Sequence, residues 1–342
     1  MKLTTIGIDV AKEVFGLHGV DAGGKVLLHK RISRKGLLPW LARLEPCLVG
    51  MEACGSAHYW AREMEKLGHT VRLMSPQFVT PYRKGNKNDP NDGVAICEAV
   101  TRPSMRFVPI KSDQQQDMLA LHRVREQLIK NRTALANQIR GLLRERGITV
   151  VKAIARLRAA VPLILEDQTN GLSGLMRELV GEMAERLRGL DEQIRRHDQR
   201  IARLCQADER CRRLVEVEGV GPLIATALVA AIGNARQFKS GRALSAWLGL
   251  VPRQHSSGQR TVLLGISKRG DRYLRTLLIH GARSATHRAE RKRDARSVWI
   301  NRLKLRSGPN VTAVALANKN ARVLWALLSR NQSYRLGGIA AA

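Results

Sequence analysis

Acidic residues are scarce in this chain. Its 342 residues include 29 Asp and Glu against 59 Lys and Arg, a formal net charge of +30, far beyond what solubility requires. The chain must live beside a polyanion, with nucleic acid the leading choice. A membrane surface fits less well, because the basic residues are spread along the whole sequence rather than gathered in one amphipathic or juxtamembrane segment. Aromatic residues make up only 4%, which argues against reading single-stranded bases by stacking and leaves phosphate contacts, chiefly from arginine. Cysteine is limited to Cys47, Cys54, Cys97, Cys205 and Cys211. This odd set without a CxxC pair excludes a disulfide framework and a zinc ribbon, and it suits a reducing cytosol. No GxxxxGK[ST] phosphate loop occurs, so ATP-driven chemistry is not expected. The start MKLTTIGIDVAKE has no apolar signal core, and no charge-free run approaches the ~18 residues of a membrane span. A soluble, cytoplasmic protein is expected.

Hydrophobic residues are plentiful, at 44%, enough for two or three domains. Strand patterns cover 3–8, 14–20 and 25–32, the last two joined by Asp21-Ala-Gly-Gly24; helical 33–44 and 57–67 then alternate with strands 47–51 and 69–74. Hairpins followed by β/α alternation imply an α/β domain with a mixed sheet. Leu121, Leu128, Leu135 and Leu142 recur every seven residues, with Val124 and Ile139 filling in, and predict a long amphipathic helix over 113–146. A second seam, Leu179, Met183, Leu187, Leu190, Ile194, His197, Ile201 and Leu204, predicts a partner helix in an antiparallel or intermolecular coiled coil, with His197 a tolerated polar position. From 209 on the pattern reads mostly as short helices, ending in a flexible tail from Gln332. The expected domains are therefore 1–148, 149–208 and 209–331, with the tail at 332–342.

Three constellations can carry chemistry. Asp9 and Glu52 stand at strand ends, where open α/β sheets place their sites, and Asp89 and Asp92 lie three apart in NDPNDG at a helix start. Asp89 before Pro90 also looks like an N-cap, and Asp92 also suits the helix dipole. Four clustered carboxylates, however, need a cation between them, and oxygen-only ligation at a nucleic-acid site points to Mg²⁺, with Mn²⁺ a possible substitute. Gly219-Val-Gly221-Pro222 opens a helix and resembles the helix-hairpin-helix element that grips a DNA backbone, although a plain connecting turn has the same composition. The stretch Pro252–Arg260, PRQHSSGQR, places Ser256 and Ser257 before a glycine. By composition it is an exposed polar loop; chemically, a serine there could act as a nucleophile with His255 as base, and Arg253, Arg260, Lys268, Arg269 and Arg275 could bind phosphate.

Five blocks, IGIDVAKE, MEACGSAHYWARE, KNDPNDGVAI, GVGPLIATALVAAIGNARQF and GLVPRQHSSGQRTVLLGISKRGDRYLRTLL, resemble in order and spacing those of the DEDD transposases of insertion-sequence family 110, the bridge-RNA-guided recombinases. The resemblance implies a RuvC-like, RNase H-type domain in which Asp9, Glu52, Asp89 and Asp92 bind the metal, a coiled-coil assembly segment, and a mainly α transposase domain. In that last domain the serine before the glycine, Ser257 rather than Ser256, attacks DNA. It further implies double-stranded donor and target DNA, a noncoding bridge RNA, a tetramer built as a dimer of dimers whose active site is shared between subunits, and a prokaryotic, nucleoid-associated setting. Two positions depart from the family pattern: Gly93 stands where Ala is usual, weakening the helix start by ~0.5–1 kcal/mol, and Gln259-Arg260 follows Ser-Gly. A junction resolvase or nuclease without a covalent step, and a non-enzymatic architectural binder, are the alternatives that the residues themselves leave open.

Overall fold

The alternating apolar residues at the N-terminus form three antiparallel strands, β1 (Thr5–Asp9), β2 (Val14–Val20) and β3 (Val26–Ser33). The β2–β3 turn is fixed by Asp21, whose Oδ1 accepts from the backbone N–H of Gly23 and of Lys25, both at 2.9 Å. In the computed structural model, which describes residues 2–83, 89–258 and 260–334, the chain divides into two compact units, 1–113 and 114–342.

In the first unit the chain continues through α1 (Leu37–Leu41), β4 (Leu48–Glu52), α2 (Ala57–Lys66), β5 (Thr70–Met74), α3 (Pro76–Val79), α4 (Asp89–Val100) and β6 (Phe107–Val108). The sheet is mixed, in the order β3-β2-β1-β4-β5-β6, with β1, β4 and β5 parallel. The helix expected over 33–44 contracts to five residues: Ser33 completes β3, and the remaining helix contains Pro39. Strand alternation sends Ile6, Ile8, Phe15, Leu17, Val49, Met51 and Leu73 to one face, where they pack with residues of α1 and α2. Phe15 and Trp60 meet there edge-on, with centroids 5.0 Å apart, a geometry worth about 0.5–1.5 kcal/mol beyond burial alone.

The opposite face receives α4. Gly7 and Gly50 are directly paired on β1 and β4, and a Cβ at Gly7 would lie 2.4 Å from the carbonyl oxygen of Gly93 and 2.5 Å from the amide of Cys97. At Gly50 a Cβ would lie 2.8 Å from Cβ of Val100. Two adjacent glycines thus let the helix rest on bare sheet backbone, and a second core of Met74, Ala95, Ile96, Ala99 and Val100 seals the contact.

The second unit is mainly helical: α5 (Asp113–Arg144), α6 (Ile154–Glu166), α7 (Gly174–Ala207), α8 (Glu209–Val215), α9 (Pro222–Ile232), α10 (Gly241–Trp247), the hairpin β7 (Pro252–Ser257) and β8 (Arg260–Ile266), then α11 (Arg272–Ala289) and α12 (Ala295–Arg330). Helix α12 is broken at Gly308, φ 75° and ψ 168°, just before Pro309. Helices α5 and α7 run antiparallel, because Arg125 pairs with Asp198 while Arg132, seven residues on, pairs with Asp191, seven residues back. The buried positions of α7 are Val180, Leu187, Ile194, Ile201 and Cys205, and those of α5 are His122, Leu135, Ala136, Ile139 and Leu143. The seams drawn from sequence are therefore partly displaced: Leu179, Leu204 and Val124 are exposed. The third stretch has the expected short helices in α8, α9 and α10, but α11 has 18 residues and the segment of α12 after the break at Gly308 runs on to Arg330. Among the described residues, no helix is long and apolar enough to cross a membrane.

Candidate functional sites

The carboxylates of the first unit are placed by sheet register. Ile8 pairs with Met51 on the parallel neighbour, so the next step along both strands sets Asp9 beside Glu52 at their C-terminal ends. Asp9 pairs with Gly16 on its other side, Gly16 with Arg31, and Glu52 with Met74. The resulting transverse row is Arg31, Gly16, Asp9, Glu52, Met74. Each member lies two residues from one facing α4, or packs beneath it directly as Met74 does, so the whole row is on the α4 face.

Helix α4 begins over this row. At Gly93 a Cβ would lie 3.9 Å from the carbonyl oxygen of Gly16, the residue paired with Asp9, so the first turn carrying Asp92 sits at the same end and face of the sheet. Asp92 accepts from Nη1 of Arg83 at 3.2 Å. The backbone of Asp89 is the first of α4, while its side chain lies outside the described residues. Cys54, a residue not singled out in the sequence, adjoins the pair: desolvation of its thiol first, then the charges of Glu52 and Asp9, raise its pKa. Its position two residues beyond the strand end could have drawn attention to it. Among the described residues no three His, Cys, Asp or Glu side chains gather as a ready-made metal cage. The residues that register sets at this end of the sheet are carboxylates, the chemistry that suits a hard divalent cation.

The serine stretch is not a loop. It forms β7, exposed at every residue and paired with the β-branched and apolar Arg260–Ile266 strand. Polar residues on both faces hide this strand from periodicity; the pairing partner defines it. Alternation separates the two serines. Ser256 lies on the face of Gln254, whose Nε2 donates to its Oγ at 2.8 Å, and Oγ of Ser256 donates in turn to Oγ1 of Thr261 at 3.4 Å. Ser257 lies on the other face, with His255 and Arg253, opposite Arg260.

The base of the hairpin is clamped. Ser267 and Lys268 donate backbone N–H bonds to Val251 (2.8 Å) and Gly249 (3.1 Å), and a Cβ at Gly270 would fall 1.9 Å from the carbonyl oxygen of Trp247. Lys268 and Arg269 are exposed at this base. Arg275, expected to meet phosphate, is instead buried, and its Nη1 donates to the carbonyls of Leu248 (3.0 Å) and Arg269 (2.9 Å). Its guanidinium is consumed in holding the base together.

Gly219 and Gly221 form the turn between α8 and α9, with Pro222 in the first turn of the helix. Gly219 packs against α11, where a Cβ on Gly281 would meet its carbonyl oxygen at 2.0 Å. The Glu218 carbonyl accepts from Arg296 (3.1 Å) and Asn320 (3.2 Å). This turn borders a cleft of about 670 Å³ that also includes Arg125, His280, Ser284 and Arg288. Beside it His122, 1% exposed, links α5 to Oγ1 of Thr226 and the Tyr273 hydroxyl, each at 2.9 Å. Thr226 donates to the carbonyl of Pro222, so it accepts from His122 Nε2–H, and Nδ1 accepts from Tyr273. Desolvation, then the neighbouring Arg125, lower the His122 pKa to about 4.

Two family models match the chain. Residues 6–147 match the DEDD transposase model of the IS110 group, and residues 211–297 match the transposase model of the IS116/IS110/IS902 family. The chain is 52% identical over 341 residues to a probable family 20 transposase of Pseudomonas aeruginosa, covering 98% of this chain and all of that protein. It is 46% identical to the transposase for insertion sequence element IS1111A of Coxiella burnetii, covering 97% and 91%. With the transposase for IS1328 of Yersinia enterocolitica the identity is 41%, covering 96% and 97%. The mixed six-stranded sheet and the mostly helical second unit fit a DEDD nuclease-like domain followed by a helical region, and a DEDD domain implies dependence on a divalent metal ion. The chain belongs to the IS110 family of DEDD transposases, enzymes of insertion sequences that act on DNA.

Proposed function

We propose that this transposase cuts and rejoins DNA through a covalent phosphoserine intermediate on Ser257. The observation that carries this reading is the division of the two serines between the faces of the hairpin: Ser256 is held by Gln254 and Thr261, whereas Ser257 shares its face with His255, Arg253 and Arg260. Oγ of Ser257 attacks phosphorus, its proton passes to the imidazole of His255, and the strand's oxygen departs as the serine ester forms. Arg253 and Arg260 stabilise the charge that develops on the non-bridging oxygens. In the second step the hydroxyl of another strand displaces the serine oxygen, so the phosphodiester is remade without ATP.

Asp9, Glu52, Asp89 and Asp92 are the residues that would hold Mg²⁺, which when bound supplies Lewis-acid polarisation of phosphodiester oxygens. For Asp92 to take part, it exchanges its bond to Arg83 for the cation. The net charge of +30 supports simultaneous binding of double-stranded DNA and a guiding bridge RNA recognised through its backbone. Lys268 and Arg269 at the hairpin base, and the Gly219–Gly221 turn in the manner of a helix-hairpin-helix, contribute phosphate contacts. The reading further includes assembly into a tetramer in which the carboxylates of one subunit serve the serine of another. We place the enzyme in the prokaryotic cytoplasm, at the nucleoid.

Incubation with end-labelled element DNA, followed by denaturing electrophoresis, tests the reading. A protease-sensitive protein–DNA adduct is expected from wild type and Ser256→Ala and not from Ser257→Ala. Strand transfer at wild-type rate by Ser257→Ala would refute it, and metal-dependent cleavage without any adduct would establish the hydrolytic alternative.

A further inference from the structure

The carboxylate row has a cationic end. One row further from the strand ends, Gly7 pairs with His18 and His18 with His29, while Arg31 stands across Gly16 from Asp9. Both imidazoles and Arg31 thereby share the α4 face with Asp9 and Glu52. Between them is a cavity of about 50 Å³, bordered by Gly16, His18, His29, Arg31 and, from α4, Gly93. That is several times the roughly 10–15 Å³ needed by a single water.

We propose that His18, His29 and Arg31 form a subsite for a backbone phosphate of the nucleic acid whose reacting phosphodiester lies at Asp9 and Glu52. Three observations converge on it. His18 is only 8% exposed, yet its Nδ1 is buried without a hydrogen-bond partner, an unusual condition for a ring nitrogen beside a cavity. The His29 ring stands edge-on to it with centroids 6.1 Å apart, so two imidazoles and a guanidinium border the same small space. Gly93 adds no side chain at the wall of that space, and a Cβ there would stand 3.5 Å from Cβ of His18. Strand spacing places the subsite about 8–10 Å from the carboxylate pair, so it takes a phosphate neighbouring the reacting one and sets the register of the strand.

This inference rests on the reading of the carboxylate face as a phosphodiester site, and the test separates the two. Histidine-labelled full-length protein is titrated with inorganic phosphate, using chloride at equal ionic strength as the control, and followed by NMR of the imidazole nitrogens. Saturable shifts of His18 and His29 with phosphate alone are expected. Gly93→Ala, which adds a methyl at the cavity wall while favouring the helix, and His29→Gln, at an exposed position, should each weaken phosphate binding roughly tenfold. Both should also reduce the slope of log K against log salt for duplex DNA by about 0.9, one phosphate contact. Equal shifts with chloride, or phosphate binding unaltered in both variants, overturn the proposal. Weakened phosphate binding with an unchanged DNA slope also overturns it, by assigning the pocket to a free anion. Retained cleavage by Asp9→Asn would sink the carboxylate reading instead, and the phosphate titration does not depend on that result.

Discussion

The two candidate sites are built in opposite ways. Asp9 and Glu52 end central strands whose other residues, Leu48 apart, are buried, with a helix pressed onto bare glycine backbone two residues away. Ser257 stands on a two-stranded ribbon exposed along all of β7 and clamped at its base. Metal ligation requires carboxylates fixed to within fractions of an ångström, which a packed sheet supplies. A serine proposed to attack DNA needs access, which an exposed ribbon supplies. Glycine shows the contrast directly, since in the first site it allows backbones to touch, whereas at Gly265 on β8 a Cβ would meet nothing within 4 Å.

The comparison can be broken by substitution. Gly7→Ala should have the largest effect, because its Cβ would overlap the backbone of α4, and a loss of at least about 3 kcal/mol in urea denaturation is expected. Gly265→Ala should change stability by less than about 0.5 kcal/mol, and equal losses at the two positions would abolish the distinction.

Acid should weaken the second unit through His122. Its folded pKa, about 4, lies below the 6.5 of an ordinary imidazole. The unfolded chain therefore binds the proton first, and stability that is complete above pH 6.5 is lost as pH falls towards 4. The loss should be roughly 3 kcal/mol, seen as a falling urea midpoint that His122→Gln flattens. Arg275→Ala removes two charge-assisted bonds to carbonyls and should cost about 2 kcal/mol, with adduct formation at Ser257 lost faster than DNA binding. Arg83→Ala should be the mildest. Its pairing with Asp92 is partly exposed, so stability should change by less than about 1 kcal/mol, while isothermal titration should show tighter divalent-metal binding as Asp92 is released.

How far these features were legible in the sequence follows from what each residue's neighbours are. Strands β1, β2, β4 and β5 could be read because burial on one or both faces leaves an apolar signature, and β3, exposed but for Ile32 and part of Leu28, because the Asp21–Gly24 turn pairs it with β2. The carboxylate pair could be suspected from strand ends, but its convergence with α4 depends on Gly7 and Gly50, whose meaning lies in the helix above them. The α7 seam was misread by one position at its start because Leu179 and Val180 are adjacent and equally apolar; only packing selects Val180. PRQHSS gave no strand signal because neither face is buried. Arg275 looked like its exposed neighbours, and nothing local marks it as the one turned inward to carbonyls.

The clamp at the base of the hairpin makes the ribbon a cantilever. Ser257 lies five residues beyond Pro252, roughly 17 Å of strand from the support. A tilt of about 10° at Gly249 and Gly270 would carry its hydroxyl about 3 Å, the difference between attack and no contact. In the proposed mechanism the aim of Ser257 is therefore set away from the reacting atoms, at two glycines and a buried arginine.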